Sequence, residues 1–395
     1  MKKYYPYLIT VSHMINDSCQ SVLPALLPLF IYTYGLSLEQ AGFLILANTA
    51  LSSLLQPLLG YLSDKINQPR LIALGVLLSA CSTGVMGFVT SYESLLVCAT
   101  LAGVGSSIFH PEGAKIMNRL GGGKKGKAMG TFAIGGSSGF AIGPLFAGSI
   151  AYTVGPHGLA AFTVVGLIIS TVLFILMPRI VAHARTIDQA VATENPTLVA
   201  KPLKNYWKYF GILFVIILSQ SVNFRVINAF IPIFWTRELG TSPEQGSFAL
   251  TVFFSIGIFM TYIGGLLGDK YGPIKIIRLS LLIWLPAMFL LTEVPTFSLV
   301  IMMPVAYLLL LMIGAAKAIS YSPVIVLGQT YLAKSIGFAS GITLGVSQTI
   351  GGIIAPVVGN LADTYTLPVA MMTLVPFLVV GLGASLILKD PKKLQ

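Results

Sequence analysis

Four ionisable side chains lie inside long apolar stretches of the sequence: Asp17, Glu112, Arg225 and Lys317. They fall in the first, fourth, seventh and tenth of twelve such stretches. A charge at the centre of a bilayer costs at least about 2.5–3.5 kcal/mol on insertion scales, so such a residue indicates a functional site by default. The regular spacing predicts that two equivalent halves of the chain contribute helices to one polar transport site.

Two of these stretches also contain histidine. His13 and Asp17 are four residues apart, so their side chains share one face of a helix. Glu112 follows His110 and Pro111, and a proline bends a helix because it removes one backbone hydrogen bond. Carboxylate and imidazole groups carry protons in transporters. The sequence therefore predicts a proton-coupling site formed by His13, Asp17, His110 and Glu112. Two structural alternatives stay open: a polar patch that only packs the first helix, and an interfacial Glu112 paired with a nearby cation.

Polar and cationic residues at the same helix positions predict a substrate site. The planar fork of arginine suits a carboxylate or phosphonate, and its charge cannot be titrated away. Two membrane-buried cations therefore favour an anionic or zwitterionic substrate. The predicted substrate-binding residues are Asn16, Gln20, Arg225, Lys317 and Tyr321. The alternative is that the cations only neutralise the carboxylates, for example in a pair between Asp17 and Arg225.

The composition indicates a membrane protein. Hydrophobic residues make up 55% of the 395 residues and charged residues only 9%, whereas soluble domains carry about 25% charged residues. A transmembrane helix needs about 20 mostly apolar residues, and twelve stretches qualify. They span 7–33, 40–62, 71–90, 94–118, 127–151, 158–178, 209–235, 244–268, 275–291, 297–326, 334–360 and 367–388. The sequence therefore predicts an all-α membrane protein without a soluble catalytic domain.

The net charge of +11 does not indicate nucleic-acid binding. If the first residues are cytoplasmic, every lysine and arginine except Arg225, Arg237 and Lys317 falls in or beside a cytoplasmic loop. This distribution follows the positive-inside rule. It predicts that both termini are cytoplasmic and that the basic excess sets the orientation in the lipid bilayer.

The two halves of the chain resemble each other. Residues 60–64 recur as 265–269, and Pro111 matches Pro323. Both copies begin on the cytoplasmic side, which predicts two pseudo-symmetric six-helix bundles in parallel orientation. The predicted domains are an N-terminal bundle, 1–178, a cytoplasmic linker, 179–208, and a C-terminal bundle, 209–395.

Each half has a Gly-x-x-x-Asp-Lys motif after its second helix, and both copies resemble the loop signature of the major facilitator superfamily. The residues are Gly60, Asp64, Lys65, Gly265, Asp269 and Lys270. Glycine permits a tight turn, while the aspartate can accept bonds from a helix N-terminus or a loop cation. These residues are therefore predicted to be conformational latches. A solvated loop charge is the alternative.

The fifth stretch has small residues four apart, followed by proline: Gly135, Gly139, Gly143 and Pro144. Such spacing lets helices approach closely, and proline kinks the helix. In this superfamily a similar pattern is associated with proton-coupled drug antiporters, which the resemblance therefore implies here. The eleventh stretch repeats the pattern in degenerate form, so duplicated packing is the alternative.

A closer resemblance lies in four strings of the first half. The sequence has Ser-His-Met-Ile-Asn-Asp from residue 12, Ser-Ser-Leu-Leu-Gln-Pro from 52, Phe-His-Pro-Glu from 109 and Phe-Ala-Ile-Gly-Gly from 132. These strings resemble the fosmidomycin resistance protein branch of the superfamily, densely over helices 1 to 5 and loosely beyond. The resemblance implies a bacterial inner-membrane exporter of small molecules, driven by protons and monomeric.

The sequence thus predicts a proton-coupled antiporter that exports small polar or anionic compounds, such as fosmidomycin-like antibiotics, by alternating access. An exporter of an endogenous metabolite or metallophore, and a proton symporter that imports an organic anion, stay open. An enzyme is not predicted, because the chain contains no HExxH or GxxxxGKS motif, and its GxSxG match at 135–139 falls inside the fifth apolar stretch. No cofactor or metal site is predicted, since the three cysteines lack metal-binding spacing.

The loop motifs generate the first testable prediction. If Asp64 stabilises the state whose cytoplasmic ends are closed, Asp64→Asn shifts the population toward the cytoplasm-open state. The shift should exceed that of Asp269→Asn, because the second motif has Pro273 where the family pattern has a basic residue. A change of about 1.4 kcal/mol alters the ratio of states about tenfold. Distances between spin labels on the cytoplasmic faces measure the shift, and identical distributions for wild type and Asp64→Asn would exclude a latch.

Overall fold

The computed structural model of the protein describes residues 4–66, 68–122, 125–194, 204–335, 339, 342–343 and 347–391. These residues form helices and no β-strand. The α-helices among them are numbered in chain order: α1 (Tyr5–Ala25), α2 (Leu27–Tyr34), α3 (Leu38–Ile66), α4 (Leu71–Val85), α5 (Tyr92–Gly121), α6 (Lys125–Thr153), α7 (Ala160–Glu194), α8 (Trp207–Arg237), α9 (Pro243–Tyr271), α10 (Pro273–Glu293), α11 (Leu299–Tyr331), α12 (Ser347–Thr364), α13 (Leu367–Met372) and α14 (Val375–Ile387).

Most of these helices are long and apolar enough to cross a membrane. Within the described residues nine segments qualify, and ten if α1 and α2 form one bent span. α4 is apolar but has only 15 residues. The predicted eleventh stretch, 334–360, includes residues outside the description, and α12 covers its second part. The all-α membrane fold is therefore confirmed, while the count of twelve spans stays a prediction.

Prolines interrupt the helices that carry the predicted site residues. Pro24 lies near the end of α1, which meets α2 at a bend of 47°. Pro111 lies inside α5 and Pro144 inside α6. A proline leaves a carbonyl of the previous turn without its helical donor, and in a membrane a neighbouring group must satisfy the carbonyls at such a break. The hydroxyl of Ser247 on α9 does so at the bend, donating to the carbonyl oxygen of Ala25 at 2.8 Å.

The helices form two compact units. The first unit comprises Met1–Leu23 and Ala47–Lys201, and the second comprises Pro24–Leu46 and Pro202–Gln395. The segment Pro24–Leu46 thus groups with the second unit, although it lies within the predicted N-terminal bundle. α7 also continues to Glu194, so the first part of the predicted linker is helical.

In the first unit, α1 packs against α6 through the predicted glycine motif. A Cβ atom added at Gly135 would collide with the carbonyl oxygen of Thr10, and one added at Gly139 would collide with that of Met14. Gly143 continues the same row one turn further along. Glycine at these positions lets the two helix backbones come into contact, and this contact places α6 beside the polar face of α1.

Behind that polar face, an apolar core joins α1, α4, α5, α6 and α7. Its fully buried members include Ile9, Ile72, Val76, Phe109, Met117, Leu173 and Met177. Lipid tails are as apolar as these side chains, so close packing rather than transfer from water favours their contact in a membrane. The core therefore fixes the relative positions of α1 and α5, the two helices that carry the ionisable residues of this unit.

In the second unit, a carboxylate at the end of α12 caps the first turn of α3. The two Asp363 oxygens accept hydrogen bonds from the backbone N–H groups of Leu38 and Glu39, each at 2.9 Å. The Asn360 amide donates to the Glu39 carboxylate at 2.9 Å. The first N–H groups of a helix lack partners within the helix, and a negative charge beside them is stabilising. Asp363 thus ties the start of α3 to α12.

The glycine contact between α1 and α6 gives a second testable prediction. Gly139→Ala should destabilise the protein by about 1–3 kcal/mol, because the added methyl group would force the two backbones apart. Gly130→Ala on the same helix is the matched control, since a Cβ there has no atom within 4 Å. Thermal unfolding of both variants in detergent measures the difference. Equal melting temperatures would show that the close approach of α1 and α6 does not depend on Gly139.

Candidate functional site

Three ionisable side chains from α1 and α5 form a compact cluster in the first unit. Oδ2 of Asp17 lies 3.1 Å from Nε2 of His13, and Oδ1 lies 3.3 Å from Nε2 of His110. The two Nε2 atoms are 3.3 Å apart. Three of the four predicted proton-coupling residues therefore meet at one point, and we call this cluster the triad.

Backbone carbonyls fix which nitrogen of each imidazole carries hydrogen. Nδ1 of His13 lies 2.8 Å from the carbonyl oxygen of Phe132, and Nδ1 of His110 lies 2.9 Å from that of Ser106. A carbonyl oxygen only accepts hydrogen bonds, so both Nδ1 atoms must be donors. In a neutral imidazole the other nitrogen is then an acceptor. Both Nε2 atoms therefore present lone pairs to each other and to the carboxylate.

Acceptors at such distances repel one another unless a cation lies among them. One additional proton suffices, because it makes one histidine an imidazolium that donates to Asp17 and leaves the triad without net charge. Asn16 supports this arrangement, since its amide nitrogen donates to Oδ1 of Asp17 at 3.0 Å. The amide oxygen of Asn16 is buried and has no hydrogen-bond partner among the described residues. The triad thus presents lone pairs of the kind that a proton or another cation requires.

Aromatic rings and a glycine enclose the triad. The ring of His13 stacks on Phe132, with centroids 3.9 Å apart, and lies 5.6 Å from Phe109. A Cβ at Gly136 would lie only 2.7 Å from the Asp17 carboxylate, so this position must be glycine. The side chains of His13 and Asp17 are 7% and 5% exposed, whereas that of His110 is 27% exposed. His110 is therefore the side from which the triad is reached.

Glu112, the fourth predicted proton-coupling residue, is buried but does not belong to the triad. It follows His110 by two residues, and side chains two apart on a helix point to different sides. Gln20, predicted to bind substrate, donates to the hydroxyl of Ser79 and the carbonyl of Ala102, both at 3.0 Å. Those bonds connect α1 with α4 and α5.

In the second unit, the two predicted cations lie against one aromatic ring. Lys317 Nζ on α11 is 4.6 Å from the ring centroid of Phe224, and the Arg225 guanidinium carbon on α8 is 5.7 Å from it. Lys317 also lies 4.9 Å from the ring of Tyr321. Cation–π contacts of this kind hold a charge that has lost part of its hydration. Three of the five predicted substrate-binding residues are therefore neighbours in space.

A cleft beside these residues presents hydrogen-bond donors. It is lined by Gln220, Ser221, Phe224, Lys317, Ser320 and Tyr321. The Gln220 oxygen accepts from the Ser320 hydroxyl at 3.3 Å, while the Gln220 amide nitrogen is buried without a partner among the described residues. Nε of Arg225 is also buried without a hydrogen-bond partner among the described residues. Buried donors without partners are costly. A ligand with anionic oxygens in the cleft would satisfy the Gln220 amide, whereas Arg225 lies next to Phe224 and not in the lining of the cleft.

The loop motifs lie at the ends of α3 and α9. The first falls where the side chains are outside the described residues: Gly60, Asp64 and Lys65. In the second, Asp269 and Lys270 are exposed, and Lys270 Nζ lies 5.1 Å from the ring of Tyr271. The closest helix contact in this region involves Gly264, where a Cβ would collide with the backbone of α11, whereas one at Gly265 would make only ordinary contacts.

Two residues of the triad's surroundings were not predicted. Ser106 supplies the carbonyl that orients His110 and lies four residues, about one helical turn, before it on α5. Phe132 supplies the carbonyl that orients His13 and begins the Phe-Ala-Ile-Gly-Gly string. The helical spacing was a usable signal for Ser106, whereas the contact of Phe132 with His13 depends on how α6 packs on α1.

Gln220, which lines the cleft of the second unit, was also not among the predicted substrate-binding residues. Asp17 and Ser221 are 204 positions apart, close to the 205 that separates the two loop motifs, and an offset of 204 also pairs Asn16 with Gln220. The internal duplication therefore contained the signal for this residue, because it places an amide side chain at the same helix position in both halves.

Comparison with known families decides the class of the protein. The family model described as Major Facilitator Superfamily matches residues 9–356 and 212–395 of the chain. The chain belongs to the major facilitator superfamily. It is an integral membrane transporter and not an enzyme.

Two relatives indicate the branch of the superfamily to which the chain is most similar. The transporter is 30% identical to the uncharacterized MFS-type transporter YfnC of Bacillus subtilis (strain 168), over 98% of this chain and 94% of the relative. It is also 30% identical to the fosmidomycin resistance protein of Escherichia coli (strain K12), over 90% of this chain and 85% of that protein. The predicted membership of this branch is therefore confirmed.

A solved structure supports the fold. The bacterial homolog to the human lysosomal transporter Spinster, in an inward-facing and occupied conformation, matches with a TM-score of 0.75 at 17% identity. The match covers 98% of this chain and 96% of that chain. The major facilitator fold predicted from the sequence is thus confirmed.

Proposed function

We propose that this transporter is a proton-coupled exporter of small polar or anionic compounds in the cytoplasmic membrane of a bacterium. Both termini are cytoplasmic, and the protein works as a monomer by alternating access. The observation that carries the proposal is the opposite chemistry of two buried sites. The triad presents acceptors that take up a cation, whereas the cleft between α8 and α11 presents donors that take up an anion.

Protonation of the triad supplies the coupling in this proposal. With one proton bound, the carboxylate and an imidazolium cancel, so the triad can be closed off from water at little electrostatic cost. Loss of the proton leaves an unneutralised carboxylate, whose burial in a membrane costs at least about 2.5–3.5 kcal/mol. Protonation therefore favours a conformation that buries the triad, and deprotonation favours one that hydrates it.

The cleft of the second unit supplies the substrate site. Lys317 lines the cleft and supplies a positive charge. Arg225, the neighbour of the Phe224 that lines it, can bind an anionic group through two parallel hydrogen bonds. The unpartnered amide of Gln220 supplies a further donor. Phosphonates and carboxylates fit this set of donors, and the E. coli relative at 30% identity is a fosmidomycin resistance protein. This supports export of fosmidomycin-like compounds.

Import of an organic anion with protons is the second candidate, because the cleft chemistry suits it equally well. The two functions differ in the pH gradient that drives substrate into proteoliposomes. An exporter that exchanges substrate for protons fills vesicles whose lumen is acidic, whereas a symporter fills vesicles whose lumen is alkaline. Fosmidomycin is the first substrate to test, followed by a panel of carboxylates and phosphonates.

The role of Asp17 gives a third testable prediction. Asp17→Asn should reduce uphill transport in proteoliposomes to the level of protein-free vesicles, because the amide cannot titrate. Downhill exchange without a pH gradient should persist. The asparagine amide can donate a hydrogen bond to Nε2 of a histidine and so keep the side chains of the triad in contact. Glu93→Gln, which removes an exposed carboxylate at the start of α5, is the control and should transport normally. Unchanged uphill transport by Asp17→Asn would remove this residue from the coupling mechanism.

The role of Arg225 gives a fourth testable prediction. Arg225→Lys should weaken the affinity for an anionic substrate by about tenfold or more, because one point charge replaces a two-pronged donor. Arg237→Lys, at the exposed end of the same helix, is the matched control and should leave affinity unchanged. Substrate-induced thermal stabilisation and transport kinetics measure the effect. Wild-type affinity in Arg225→Ala would assign this arginine a structural role.

A further inference from the structure

The triad has the composition of a metal site as well as that of a proton site. One ligand atom from each of His13, Asp17 and His110 lies within 4.8 Å of the other two. No metal site was predicted from the sequence, because metal motifs are recognised by ligand spacing within one segment. Here the ligands come from α1 and α5 and meet only in the folded chain.

The spacings within the triad fit a tetrahedral ion. Zinc binds imidazole nitrogen and carboxylate oxygen at about 2.0–2.2 Å, so two ligands of one tetrahedral ion lie about 3.3–3.5 Å apart. The two Nε2 atoms are 3.3 Å apart. The nitrogen–oxygen distances to Asp17 are 3.1 and 3.3 Å. The two short distances involve different oxygens of Asp17, Oδ2 and Oδ1, so an ion placed between the imidazoles takes one carboxylate oxygen after a small rotation of the carboxylate.

The outer hydrogen bonds are those of metal-binding histidines. Such histidines almost always donate their second N–H to a carbonyl, carboxylate or water, which aims the free nitrogen at the ion. The carbonyls of Phe132 and Ser106 accept these bonds here, at 2.8 and 2.9 Å. Asn16 donates to the Asp17 carboxylate, and its own buried oxygen has no partner among the described residues. Both imidazoles are thus already oriented as ligands.

We propose that the triad binds one divalent transition-metal ion of the zinc class. Two imidazoles and one carboxylate favour such an ion over magnesium or calcium, which prefer oxygen ligands. Three protein ligands leave a fourth coordination position for water or an anion. That position faces the side of His110, the most exposed member of the triad.

Zinc bound at the triad inhibits transport, because the ion and the coupling proton occupy the same lone pairs. This consequence rests on the proposed function, whereas the metal site itself does not. The ion also joins α1 directly to α5, so it should raise the melting temperature of the transporter as a ligand of the folded state.

Isothermal titration calorimetry with zinc chloride tests the site on the full-length transporter, purified in detergent with a tag that contains no histidine. The chain has four histidines, and His157, which is exposed, provides a matched control. Wild type and His157→Gln should bind one zinc ion per chain. His13→Gln and His110→Gln should each lose more affinity than the ~10–100-fold typical of an outer hydrogen-bond partner.

X-ray absorption at the zinc edge on the wild-type complex gives a second measurement that does not depend on the folding of a variant. The proposal requires two imidazole ligands at about 2.0–2.1 Å. Three results would overturn the site. Calorimetry could show no stoichiometric zinc binding, or an unchanged zinc affinity in the folded His13→Gln and His110→Gln variants. X-ray absorption could show fewer than two imidazole ligands.

Transport assays separate the two proposals. Proton-driven transport that continues in wild-type proteoliposomes at saturating zinc would refute the inhibitory role and leave proton coupling in place. Absence of proton-driven transport without zinc would refute the proposed function, while calorimetry would still decide the metal site.

Discussion

A carboxylate inside an apolar helix has to be neutralised by the protein itself, and the first unit is arranged around this requirement for Asp17. Two imidazoles and one amide surround the carboxylate. Each imidazole is in turn oriented by a backbone carbonyl. A displacement of any of these groups would remove a partner of the carboxylate or of an imidazole, so the positions of α1, α5 and α6 are coupled through a single buried charge.

The glycines of α6 serve the same requirement. Phe132 can offer its carbonyl to His13 only because α6 lies against α1, and that approach depends on the row of glycines from Gly135 to Gly143. Gly136 adds a local condition, since any side chain there would enter the space of the carboxylate. Packing and electrostatics are therefore not separable in this unit: the small residues set the distance at which the polar groups can bond.

The sequence was sufficient for features that depend on local pattern. Apolar length identified the helices, the spacing of His13 and Asp17 placed them on one face, and the duplicated motifs identified the superfamily. It was insufficient where contacts join distant segments. Glu112 lies only two residues after His110 in the sequence, but helix geometry turns the two side chains apart. Of these two side chains, the packing of α5 brings the histidine to Asp17. Likewise, apolar composition does not show that the start of α3 groups with the second unit.

The cap that Asp363 places on α3 has a consequence for the way the chain is made. Synthesis proceeds from the N-terminus, so the amides of Leu38 and Glu39 leave the ribosome long before the carboxylate that bonds them. The second unit, which includes Pro24–Leu46, therefore cannot reach its final set of contacts until α12 has been translated and inserted. The early segment Pro24–Leu46 therefore completes its contacts only after one of the last helices has been made. A truncated chain that ends before residue 363 would leave the start of α3 without its cap.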